Sequence, residues 1–220
     1  MVEMHLLSVN ADFCYDPIYA LGVVTAFDRF MQAYQPEQDR DSIFSALCRS
    51  IEGDPGRYQQ DAQQLRLLPE KLSMEELIAL LSGQEGLAVA ADLQQCLRQI
   101  AKTPNFKYTR LFAIGLFTLL ELADASRVAD EKQRVEVLRT ICTGLNLSED
   151  KLTKDLDLYR SNLEKMAQAL SIMEDVVSAE RKKSAKQVAD REVAIASTPP
   201  PSDSSETPDT SSKDEATSGS

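Results

Sequence analysis

One histidine, no tryptophan, eight glycines and four scattered cysteines leave this 220-residue chain with few of the side chains that chemistry usually needs. A Ser or Cys nucleophile would have to take His5 as its base, and nothing in the sequence sets a particular Ser, Cys or Asp beside it. Met4, Leu6 and Leu7 around it read as ordinary positions on a helix. Cys14, Cys48, Cys96 and Cys142 form no CxxC pair, so zinc ribbons and thioredoxin-like sites have no local support. The expected state is four reduced thiols. No HExxH, Walker A loop, GxGxxG or EF-hand loop occurs. The reading is therefore no enzyme, no metal and no cofactor.

Long apolar runs are missing as well. The longest, Leu111 to Leu120, is about half the ~18 residues that span a bilayer. Of nine prolines, four lie between 199 and 208, so the rest of the chain has little strand or turn punctuation. A net charge of −11 opposes nucleic acid, whose phosphates require Lys and Arg. No internal repeat indicates a solenoid.

What is present is helical punctuation and helical spacing. Asp16-Pro17 supplies a cap and a first-turn proline, followed by one apolar stripe through Ala20, Val23, Val24, Phe27, Phe30, Met31 and Tyr34. A second helix is expected over 38–52. Asp54-Pro55 opens a third, through about Leu67. Ser73 and Glu76 form a capping box for a short helix, and another is expected over 86–102. The segment 106–125 is apolar on nearly every face, which places it at the centre of a bundle. A helix over 130–143 is expected to stop at Gly144, and Ser148 caps the next. The fold class is all-α: a helical bundle over 1–146, a long C-terminal helix over 147–196, and a disordered acidic Ser/Thr/Pro tail over 197–220. The first residues read as the interior of a helix, so the natural start is expected upstream.

In the long helix, Leu152, Leu156, Tyr159, Leu163, Met166, Leu170, Met173 and Val177 follow a strict 3.5-residue repeat, the seam of a coiled coil. Leu163, Met166, Leu170, Met173 and Val177 are the candidate partner-binding residues, with packing on the bundle expected nearer Leu152 and Leu156. Arg181, Lys182, Lys183, Lys186 and Arg191 cluster beyond. They read either as attraction to an anionic surface or as cations complementing a helix end. The adjacent acids Glu75/Glu76 and Asp39/Asp41 fit helix starts without catalysis, and Glu121 and Asp124 sit at the end of the apolar helix.

Several separated stretches resemble one family. They are Val2-Glu3-Met4-His5-Leu6-Leu7, Tyr15-Asp16-Pro17-Ile18-Tyr19-Ala20-Leu21-Gly22 and Phe27-Asp28-Arg29-Phe30-Met31. Asp54-Pro55-Gly56-Arg57-Tyr58 with Asp61-Ala62, and Phe106-Lys107-Tyr108-Thr109-Arg110-Leu111-Phe112, extend the match. Over roughly residues 2–190 the chain resembles the thylakoid-formation family of oxygenic phototrophs. The resemblance implies an accessory or scaffold role in thylakoid biogenesis and photosystem II assembly or repair. It implies FtsH-type thylakoid proteases and photosystem II assemblies as partners, and a peripheral place on the cytoplasmic side of the thylakoid membrane. A structural coiled-coil homo-oligomer, and an enzyme with an unrecognised carboxylate site, are the alternative readings.

Overall fold

The computed structural model describes residues 2–84, 90–104 and 106–196, with the backbone alone for 2 and 185–196. The described residues contain ten α-helices and one 3-10 turn, and no strand. The all-α reading holds. The chain divides into two compact units, Met1–Ser171 and Ile172–Ser220. The elements are α1 (Val2–Ser8), α2 (Pro17–Met31), a 3-10 turn (Glu37–Asp39), α3 (Arg40–Arg49), α4 (Pro55–Arg66) and α5 (Met74–Leu81). There follow α6 (Ala91–Lys102), α7 (Arg110–Ala123), α8 (Ala125–Ala129), α9 (Glu131–Leu145) and α10 (Glu149–Ala196).

Local chemistry starts most of these helices. The Asp16 carboxylate accepts from the Tyr19 amide at 2.8 Å, with Pro17 in the first turn. Asp54 repeats this towards Gly56 at 2.9 Å. Ser73 and Glu76 close the capping box, with the Ser73 amide donating to Glu76 at 2.8 Å. Asp124, Asp130 and Ser148 accept from Arg127, Gln133 and Lys151 in the same manner.

Four expected boundaries move. The second helix is a 3-10 turn at Glu37–Asp39 followed by α3. The helix expected from 86 is described from Ala91, and 85–89 lie outside the described residues. The apolar helix begins at Arg110 because Thr109 is extended and its hydroxyl takes the Phe112 amide at 2.9 Å. Gly144 does not stop α9. The helix runs to Leu145 and closes on Asn146 in the left-handed region, at φ 55°. Gly144 instead lets α9 approach α5, since a Cβ there would stand 2.1 Å from the Ser82 carbonyl oxygen.

The centre of the bundle is a pair of helices. α7 is buried from Phe112 to Leu120, as its composition requires. α2 is buried on all sides from Ile18 to Thr25, where a single stripe was expected. Its second half fits the stripe less well, because Phe30 is exposed and Tyr34 is exposed beyond the helix end. α2 packs most extensively on α7 and then on α4. No described helix is long and apolar enough to cross a membrane.

Candidate interaction surface

Leu152, Leu156 and Tyr159 at the start of α10 are buried in the bundle. A ring of polar contacts fixes the same turns. Asp155 accepts from the Tyr108 hydroxyl at 3.1 Å and from Arg110 Nε at 3.2 Å. The Lys151 ammonium lies 4.9 Å from the centre of the Tyr108 ring. One turn on, the Arg29 guanidinium covers the Tyr159 ring and donates to Glu121 at 2.6 Å. Phe30 meets Tyr159 edge-on, with ring centres 6.3 Å apart. The pKa of Tyr108 is raised, by desolvation first and by the Asp155 carboxylate second.

Along α10 the seam then loses its cover. Leu163, Met166 and Leu170 are half-buried, and Met173 and Val177 are exposed. Ile172 and Val176 are exposed beside them, at 64% and 53%. These two apolar residues fall outside the 3.5-residue seam, and only the wider apolar arc of the helix would have found them. Arg181, Lys182 and Lys183 are also exposed, whereas the side chains of Lys186 and Arg191 lie outside the described residues, as does the 197–220 tail.

The bundle carries a half-open, mainly apolar pocket of about 290 Å³ walled by Val23, Phe27, Phe30, Met31 and Leu47, with Glu3 also on its wall. A second recess of about 260 Å³ lies beside the Glu75–Arg127 ion pair, with Glu136 and Thr140 on its wall.

The other chemistry-bearing residues have structural employment. Glu75 is held below the usual carboxylate range by its hydrogen bond from Arg127, and Glu76 by the Ser73 amide. Glu121 pairs with Arg29, and Asp124 caps α8. His5 is exposed on α1. All four cysteines are free thiols. Burial pushes Cys48 and Cys142 up to about 11 and Cys96 up to about 12, which keeps them protonated near neutral pH. Among the described residues no three His, Cys, Asp or Glu side chains come together as metal ligands. Among the described residues Asp16 is the carboxyl most displaced from its ordinary range. Desolvation pushes it up to about 7, against the opposing pull of the Tyr19 and Ile18 amides. The sequence marked this residue as a cap and gave no sign of its burial.

Comparison with known proteins gives a consistent answer. The sequence model described as thylakoid formation protein matches residues 1–188. Protein Thf1 of Trichormus variabilis is 62% identical over 183 residues, covering 83% of this chain and 78% of the relative. Protein Thf1 of Acaryochloris marina is 48% identical over 218 residues, covering 99% of this chain and 87% of the relative. The 1.55 Å structure of Psb29 superposes with a TM-score of 0.68 at 40% identity, covering 84% of each chain. The chain belongs to the thylakoid formation protein family.

Proposed function

We propose that this protein is a non-enzymatic accessory or scaffold factor in thylakoid biogenesis and in photosystem II assembly or repair. It works by binding FtsH-type thylakoid proteases from the cytoplasmic side of the membrane, without spanning it. Family membership supports the process, and the resemblance supplies the partner class. The observation that carries the mode of action is the row of apolar side chains on α10. Leu163, Met166 and Leu170 are only half covered, while Met173 and Val177 are exposed. Exposed apolar side chains grouped as Ile172, Met173, Val176 and Val177 are in the second unit mark an interaction surface, and a 3.5-residue repeat is the spacing one helix presents to another.

Affinity isolation from thylakoids, with soluble and detergent fractions both identified, tests the reading. The wild-type protein is expected to co-isolate with an FtsH-type protease, and Met173→Glu with Val177→Glu to lose it at an unchanged thermal midpoint. A wild-type isolate lacking the protease sinks the partner class. Undiminished co-isolation of the double variant moves the binding surface elsewhere.

A further inference from the structure

Within twelve residues of its second unit the chain exposes two different kinds of surface. Ile172, Met173, Val176 and Val177 are 46–64% exposed, and Arg181, Lys182 and Lys183 follow, all exposed. The repeat fixes how they are arranged. Met173 and Val177 occupy the seam, and Glu180 takes the next seam position. Glu174 and Arg181, seven apart, lie along one edge of the seam, while Val176 and Lys183 lie along the other. Charge is thus ordered along the axis. Glu174 and Asp175 come first, and the cations stand about two turns later.

This order decides between occupants. From 172 to 184 the acids Glu174, Asp175 and Glu180 offset the cations Arg181, Lys182 and Lys183, so an anionic bilayer meets no net positive charge. A second copy also fits poorly. Parallel pairing in register stacks Glu180 against its own counterpart, and sets Arg181 beside Val176 of the other copy. Antiparallel pairing that brings Glu174 to Arg181 sets Val177 opposite Glu180 and Met173 opposite Ser184. A separate helix can set cations beside Glu174 and Glu180 and acids beside Arg181 and Lys183, which neither pairing of two copies does together.

We propose that Ile172 to Lys183 receives one helix of another protein. Its apolar face covers Met173, Val176 and Val177. It presents a basic residue beside Glu174 and acidic residues beside Arg181 and Lys183. This rests on the accessory role proposed above and names the chemistry of the partner.

The test places photoreactive benzoylphenylalanine at position 173 of the full-length protein in cyanobacterial thylakoids, and sequences the adduct after illumination. The expected adduct is a protein peptide with a heptad apolar stretch flanked by acids. Combined Arg181→Glu, Lys182→Glu and Lys183→Glu should lower its yield about tenfold, because charge order at a helix pair governs partner choice. The thermal midpoint should stay unchanged, since all three side chains are exposed. Lysines in place of the partner's acids should restore the yield. An adduct to lipid, to a second copy of this chain, or to nothing overturns the inference, as does a yield indifferent to the charge reversal. Retained co-isolation with the protease in those cases sinks this site alone. Failed co-isolation of the wild-type protein sinks the parent reading.

Discussion

Gly22 and Gly115 lie against each other where α2 crosses α7, so that neither position has room for a side chain. A Cβ on Gly22 would stand 1.7 Å from the Leu111 carbonyl oxygen and 2.9 Å from the Gly115 nitrogen. A Cβ on Gly115 would stand 1.9 Å from the Ile18 carbonyl oxygen and 2.9 Å from the Gly22 nitrogen. The two backbones therefore touch, which is how two helices buried on all sides share one centre. In an open helix, glycine to alanine gains up to about 1 kcal/mol. Here Gly22→Ala and Gly115→Ala should each lose about 3 kcal/mol by forcing the helices apart. Thermal denaturation should show a midpoint roughly 5–10 °C lower. A midpoint unchanged or raised would mean that the crossing is looser than described.

Much of this centre was hidden in the sequence. α7 was legible because nearly every residue in it is apolar. α2 was not, because Gly22 falls outside its amphipathic stripe and looks like a gap, when it is the point of closest approach itself. Gly144 was misread for the same reason: a glycine near a helix end serves as a stop or as a contact, and only the neighbouring Ser82 distinguishes the two. Helix starts were legible because a cap acts within three residues of itself. The seam on α10 was legible as a spacing, but its loss of cover after Tyr159 depends on Arg29, Phe30 and Tyr108, which are remote in sequence.

Asp16 should make stability depend on pH. Its carboxyl titrates at about 7 in the folded protein, above its ordinary value of 3.8. The folded state therefore holds the proton more tightly than the unfolded chain. The contribution is fully present below about pH 4 and is lost as pH rises through about 7. The groups that face it carry their protons over that range: Cys96 is pushed up to about 12 and Tyr19 is raised further. Asp16→Asn keeps a good cap and removes the titration. The difference between variant and wild type should move in the variant's favour by at most about 3 kcal/mol between pH 5 and pH 8. Denaturant midpoints at the two pH values check it. A difference independent of pH would show that Asp16 reaches solvent.

Asp155 should hold the first turns of α10 to the bundle. It accepts from both Tyr108 and Arg110, and its side chain is 17% exposed. Asp155→Ala leaves the Tyr108 hydroxyl without that acceptor, a loss of about 1–2 kcal/mol after screening of the more exposed Arg110. Tyr108→Phe in the same background should then cost little more, because the two changes break one interaction. Additive losses in the double-mutant cycle would mean that the pair is not coupled.

The seam residues should separate stability from binding in a graded way. Leu156 is buried, Leu163 is half-buried and Met173 is 63% exposed. A glutamate at each position introduces the same charge at three depths. At Leu156 it is enclosed without a partner, which costs several kcal/mol, on the order of 3–5, or opens the helix from the bundle. At Leu163 it can turn partly to water, and the loss should be intermediate. At Met173 it stays in water, and the change should lie within about 0.5 kcal/mol of wild type. Binding to the proposed protease partner should follow a different order. If the partner covers the exposed end, Met173→Glu abolishes co-isolation at full stability, whereas Leu156→Glu weakens it only in proportion to unfolding. Thermal midpoints and co-isolation measured on the same three preparations settle the matter. Stability that falls equally at all three positions would show that the exposed end packs in solution. Full binding by Met173→Glu would place the partner on another face of the helix or on the bundle.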